Sequence, residues 1–142
     1  MPQPEFFDTA GYGPLARNRY HYSQAVRIGD RIEISGQGGW DADFGFSARS
    51  VEEEIVKAFD NVEATLTEVG VALRDVVSIR SYHVPTADTV IGDDHMSAMV
   101  DQFRMRFGEF SPLWTALGVK ALALPGMRVE IEVVAIAGSD VR

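Results

Sequence analysis

The sequence predicts an α+β domain in which one sheet carries two helices on a single face. Three observations carry that reading. Strand-like stretches cluster in pairs, two before the first helical stretch and two after the second, with one more between the helices. Both helical stretches repeat apolar residues at the 3.6-residue period. The strand that comes latest in the sequence is apolar on every second residue, as a central strand must be. The 142 residues, 46% hydrophobic and 24% charged, suit a single domain over residues 1–142.

Taken in order, residues 1–20 show no period and read as irregular, with a turn signal at Gly11-Tyr12-Gly13-Pro14 followed by Arg17, Arg19 and Tyr20. Ala25–Ser35 reads as a β-hairpin: Val26 and Ile28 alternate with polar neighbours, Gly29-Asp30 supplies the turn, and Ile32 and Ile34 resume the alternation. The run Ser35-Gly36-Gln37-Gly38-Gly39-Trp40 reads as a flexible loop closing the second strand. Ser50 is an N-cap with Glu53 three residues on, the spacing of a capping box. Val51, Ile55, Phe59, Val62, Leu66 and Val69 then recur on one helical face, and Gly70 supplies the stop. Glu52, Glu54, Lys57, Asp60 and Glu63 fall on the polar face.

Val76–Val84 is rich in β-branched residues and reads as a strand. A second helix is predicted over about Asp93–Phe107, with Met96, Met99, Val100, Phe103 and Phe107 inward. Thr115–Ala121 and Arg128–Ala137 read as a final hairpin around the turn Leu124-Pro125-Gly126. In that last strand Val129, Ile131 and Val133 can meet the helices, leaving Glu130, Glu132, Val134 and Ile136 on the opposite face. Such a mixture is neither good core nor good surface. Burial against a second copy resolves it, so the pattern predicts a homo-oligomer.

Composition narrows the function. The chain has no cysteine, which excludes a disulfide scaffold, a thiolate zinc site, an iron–sulfur cluster and a cysteine nucleophile. A net charge of −8, from 13 Lys+Arg against 21 Asp+Glu, argues against nucleic acid as a partner. There is no basic start followed by an apolar run and no stretch near the ~20 apolar residues of a membrane helix, so a cytoplasmic protein without a membrane partner is expected. His21, His83 and His95 show no paired spacing, and no metal site is expected. The glycine cluster at 36–39 opens no helix and reads as a tight turn rather than a dinucleotide loop, although its amides can bind an anion or carbonyl oxygen. Ser35 lacks a nucleophile elbow and reads as a hydrogen-bonding residue. The last strand gives the better lead. Arg128, Glu130 and Glu132 share a face, and a half-buried glutamate there has the raised pKa that suits proton exchange with water.

Several segments together resemble one family. Tyr22-Ser23-Gln24-Ala25-Val26, Ile34-Ser35-Gly36-Gln37 and Val129-Glu130-Ile131-Glu132-Val133-Val134-Ala135-Ile136 occur in order and at suitable separations. With Phe59-Asp60-Asn61-Val62 and the Gly70…Asp75-Val76-Val77 junction, they resemble the Rid (reactive intermediate deaminase, or YjgF) family over about residues 22–137. The resemblance implies a chorismate-mutase-like mixed sheet assembled as a homotrimer with pockets between subunits. It also implies cofactor-free hydrolysis of small enamines or imines to carbonyl compounds and ammonia. On that resemblance Glu130 positions water, and Tyr22, Ser35 and Gly36 line the pocket. The departure is Pro112-Leu113-Trp114-Thr115, where the archetypal RidA branch has arginine in place of Trp114. An indole cannot grip a carboxylate through two parallel bonds as a guanidinium does. Trp114 is therefore expected to shape the pocket for flatter, more apolar ligands, or else to sit in an interface core. Arg128 or Lys120 is the candidate replacement cation, with an ion pair to Glu130 or Glu132 the plainer role for Arg128.

The sequence thus points to an imine or enamine hydrolase of a branch lacking that arginine, with a small molecule and the chain's own copies as partners. The alternative is a non-catalytic small-molecule binder or regulator on the same trimer. RNA cleavage, attributed to some members of the family, is disfavoured by the −8 charge, the missing basic stripe and the lack of a histidine pair.

Overall fold

The structure, a computed structural model, describes residues 1–87 and 89–138. Its elements run β1 (Glu5–Phe7), α1 (Tyr12–Tyr20), β2 (Ala25–Ile28), β3 (Arg31–Gly38), α2 (Val51–Val69), a 3-10 turn at Leu73–Asp75, β4 (Val76–His83), α3 (Asp93–Phe107), β5 (Leu113–Gly118) and β6 (Val129–Ile136). The strands form one mixed sheet in the order β1-β2-β3-β6-β4-β5. Every pair is antiparallel except β4 with β5.

The hairpin forms as its sequence requires, with Ile28 opposite Arg31 and Gly29 at φ 60°, a left-handed value that favours glycine at the turn. The final hairpin does not form. β5 is shorter than its sequence suggests and lies parallel to β4, while β6 inserts between β3 and β4. The apolar alternation of β6 explains its place: Val129, Ile131, Val133 and Ala135 are fully or nearly fully buried under the helices, which only a central strand permits. The glycine-rich run is also not a loop from Ser35 onward. β3 continues to Gly38, with a bulge between Ile34 and Gln37 that re-aims the strand.

α2 carries the apolar face the sequence shows, and Ser50 Oγ accepts from Glu53 N at 3.0 Å. The return bond of the box goes one residue further back, from Arg49 N to Glu53 Oε2. α3 packs beside α2 on the same face of the sheet, and Phe103 meets Phe59 edge-on at 5.9 Å. The buried face of α3 is turned slightly from the apolar pattern, because His95 and Gln102 are buried with Ala98, Met99 and Phe107 while Met96 and Val100 are half-exposed.

Residues 1–20 are not irregular. β1 is three residues long, too short for a period to show, and α1 buries only Tyr12, Gly13 and Ala16. Pro14 sits in the first turn of α1, where its missing N–H costs no helical bond. Among the described residues there are thus three α-helices rather than two, with α1 in a smaller cluster of Tyr12, Ala16, Trp40, Phe44 and Met127.

The opposite face of the sheet is mixed, as the β6 pattern requires. Phe6 is 61% exposed, Leu113 74% and Leu117 40%, beside the Arg31–Glu33 ion pair and the Tyr82–Glu132 hydrogen bond. Among the described residues no helix is long and apolar enough to cross a membrane.

Candidate active site

Where β3 bulges and β6 begins, the chain builds a cavity of about 510 Å³. Ser35 and Gly36 come from β3, Glu130 from β6, Tyr20 from the end of α1 and Tyr22 from the link between α1 and β2. Trp40 and Phe44 come from the segment after β3, and Ala123, Leu124 and Met127 from the segment before β6. The wall is largely apolar, and Glu130 supplies the carboxylate in it.

Glu130 is half-buried, and desolvation, reinforced by the neighbouring Glu132 carboxylate, raises its pKa above the ordinary carboxylate value. Gly36 lets it come so close: a Cβ there would stand 2.4 Å from Glu130 Oε1 and 2.6 Å from Cγ and Cδ. Gly36→Ala is therefore expected to push the carboxyl out of place, at a cost of about 1–3 kcal/mol of stability. Urea unfolding checks this, and an unchanged midpoint would show that Glu130 has room to move. Burial, assisted by the Glu130 carboxylate, raises the pKa of Tyr22. Ser35 Oγ donates to Ser23 O at 2.7 Å, which fixes the wall and leaves the hydroxyl without a base.

A layer behind the cavity holds this wall. Asn61 on α2 donates to both Gly38 O and Trp40 O, at 2.8 and 2.9 Å. Gln37 is fully buried, accepts from the Tyr12 hydroxyl and donates to Gln24 Oε1 at 2.8 Å. Glu54 does not belong to the solvated face of α2. It is 1% exposed and accepts from Arg128 N at 2.7 Å, Arg128 Nε at 2.8 Å and Val129 N at 3.1 Å. Phe44 is held at φ 71°, a left-handed conformation rare for a bulky residue, by edge-on and tilted packing against Trp40, Tyr20 and Tyr12.

Of the residues singled out in the sequence, Tyr22, Ser35, Gly36 and Glu130 converge here. Trp114 and Arg128 do not. Trp114 is not among the residues lining the cavity; its ring lies 4.9 Å from Phe103 and its indole N–H donates to Ser81 Oγ at 2.9 Å. Arg128 precedes the strand proper, so its side chain escapes the Glu130–Glu132 face and pairs with Glu54. Lys120 lines a separate hollow with Val84 and Gly118. Tyr20, Trp40, Phe44, Leu124 and Met127 complete the wall without having been visible as site residues. Their one signal is that large apolar side chains outside any periodic element must still find cover.

A histidine pair, which the spacing does not suggest, is present. His83 Nδ1 lies 2.9 Å from His95 Nδ1, and His83 Nε2 lies 2.8 Å from Ser81 Oγ. Both rings are 0% exposed, so they are not placed for chemistry on RNA. Burial, with the second imidazole beside it, pushes His83 down to about 4. Burial likewise lowers His95, opposed by Asp94, Glu54 and the Val84 carbonyl and assisted by Arg128. The unfolded chain, with histidine near ~6.5, binds the proton first. Stability is then complete above about pH 6.5 and falls as pH drops toward 4, by on the order of 3 kcal/mol for His83. Urea midpoints across that range test this, and a slope unchanged in His83→Leu would refute it. Among the described residues no group of three His, Asp or Glu gathers to hold a metal.

The family model described as Endoribonuclease L-PSP matches residues 15–137. The chain belongs to this family, the YjgF/Rid family. The RutC family protein YjgH of Escherichia coli K12 is 34% identical over 116 residues, covering 82% of each chain. The 2-iminobutanoate/2-iminopropanoate deaminase of Capra hircus is 34% identical over 119 residues, 82% of this chain and 80% of that one. Among solved Rid-family structures, protein YJGH superposes with a TM-score of 0.74 at 30% identity, covering 92% and 93% of the two chains. RidA from the Antarctic bacterium Psychrobacter sp. PAMC 21119 gives 0.70 at 30% identity, covering 81% and 87%.

Proposed function

We propose that this Rid-family protein hydrolyses a small reactive imine or enamine, without a cofactor, and that its substrate is not a standard imino acid. The carrying observation is the half-buried Glu130 carboxyl set against Gly36 in a largely apolar cavity. Such a group can hold a water and carry its proton. The water oxygen bonds to the imine carbon while one of its protons passes by way of Glu130 to the nitrogen. The hydroxyl proton of the resulting carbinolamine passes to the nitrogen by the same route as the carbon–nitrogen bond breaks, so ammonia leaves and the carbonyl compound remains. Tyr22 and Ser35 shape the wall beside the reacting carbon. The deaminase relative supports the reaction class.

The mixed outer face of the sheet, with Phe6 and Leu113 largely exposed, supports a homotrimer in which copies cover that face. The test uses an amino-acid oxidase and an amine oxidase to generate imines in situ, with semicarbazide trapping what survives. Accelerated loss of trappable imine is the expected result. Ligand-dependent thermal stabilisation without turnover would replace the enzyme by a binding module.

A further inference from the structure

We infer that the substrate class of this site is a carboxylate-free imine or enamine with a ring-sized apolar substituent, its nitrogen at Glu130 and its substituent against Tyr20, Trp40 and Phe44. The inference rests on the hydrolase reading above and adds to it the chemistry of the ligand.

Charge selects the polar end of the ligand. Among the described residues no Lys, Arg or His lines the cavity. Arg128, the cation next to the strand that carries Glu130, is held by Glu54, and Arg17 on α1 is held by Asp8 at 2.8 Å. A substrate carboxylate would enter without a cationic partner and beside the carboxyl of Glu130, an arrangement that selects against it. A protonated imine nitrogen meets the opposite situation. It gains attraction from the Glu130 carboxylate.

Shape selects the rest of the ligand. Trp40 and Phe44 pack edge-on at 5.0 Å, and Tyr20 meets Phe44 edge-on at 6.2 Å, so the rings brace one another. Phe44 keeps its left-handed backbone as part of this wall, a conformation with a conformational cost that only such bracing maintains. Met127 and Leu124 pack into the same cluster as Trp40 and Phe44 and extend the apolar wall. The result is a broad apolar slot with one polar end, which suits a planar ring on a short arm.

A matched pair of substrates isolates the carboxylate. A flavin-dependent amine oxidase acting on 2-phenylethylamine yields an imine that differs from the one made from phenylalanine by an amino-acid oxidase only in lacking the carboxylate. With the intact protein, kcat/KM for the carboxylate-free imine is expected to exceed that for the imino acid by at least about tenfold. Ala123→Arg, at an exposed position of the rim, is expected to raise turnover of the imino acid and narrow the gap. Equal or faster hydrolysis of the imino acid by the unaltered protein would overturn the inference, as a cation contributed by a neighbouring copy would cause. If neither imine is hydrolysed faster, the hydrolase reading fails, and thermal shifts decide the ligand class separately. Stabilisation by 2-phenylethylammonium but not by phenylalanine or 3-phenylpropanoate sustains it. Stabilisation by the carboxylates, or by none of the three, ends it.

Discussion

Replacing Glu130 by glutamine is expected to lower kcat/KM for imine hydrolysis about a hundredfold or more while leaving the fold at least as stable. Glutamine keeps the volume against Gly36 and can still hold a water, but it cannot take up and return a proton, a function worth roughly 10²–10⁴ in rate. The stability half follows from linkage. The native state raises the Glu130 pKa, so it binds the proton more readily than the unfolded chain. Ionisation therefore costs stability as pH rises through that range, and the neutral amide escapes the cost. In the unaltered protein, activity should rise with pH along a limb set by Glu130. Glu132→Gln removes one cause of the raised pKa and should move that limb to lower pH. Tyr82 and Arg80 face Glu130 and Glu132 across the β4–β6 ladder and stay in place as controls. Activity within a few-fold of wild type in Glu130→Gln would remove Glu130 from the chemistry.

Glu54→Ala should be the most damaging single truncation away from the cavity, with a loss of about 3 kcal/mol and a fall of roughly 10 °C in melting temperature. One carboxylate satisfies two backbone amides and a guanidinium at the start of β6. Its helix also lies so close to the β3 exit that a Cβ on Gly39 would stand 2.4 Å from Glu54 O. Removing the carboxylate strands the amides in a space with little access to water. Because the anchored residues directly follow Met127 of the cavity wall, ligand-induced stabilisation should fall as well. Glu54→Gln retains one acceptor and should lose about half as much in urea unfolding. A loss below about 1 kcal/mol in Glu54→Ala would mean that water or a neighbouring group replaces it.

These two glutamates also show where sequence reasoning ends. Glu130 is legible because strand alternation fixes its face, and the apolar partners Val129 and Ile131 fix the strand at the centre of the sheet. Glu54 falls on the polar arc of an amphipathic helix and looks solvated. Only the approach of β6, 74 residues later in the chain, buries it. Arg128 is misread for the same reason: alternation puts it beside Glu130, yet it stands one residue before the strand, where the pleat does not yet constrain it. Local signals locate α2 and the turn of the β2–β3 hairpin to within a residue or two, since caps, turn glycines and period are all short-range, but they miss the three further residues of β3 up to Gly38. Pairing of β5 with β4 in place of β6, and the His83–His95 contact, depend on how distant segments stack, to which a local period is blind. The aromatic wall is hidden differently, because Trp40 and Phe44 lie in a segment that has no period at all.

The position of β6 has a consequence for how the molecule comes into being. This strand follows in sequence every element it separates, so until it is made β3 and β4 face a gap and present two unpaired edges. Such edges are open to pairing with other chains. The first hairpin and α2 can form from neighbouring residues, but the sheet closes only through contacts of long sequence separation, which slows the final step. Glu130 arrives on that same strand. The cavity and the completed sheet therefore appear together, because the strand that closes the one supplies the carboxylate of the other.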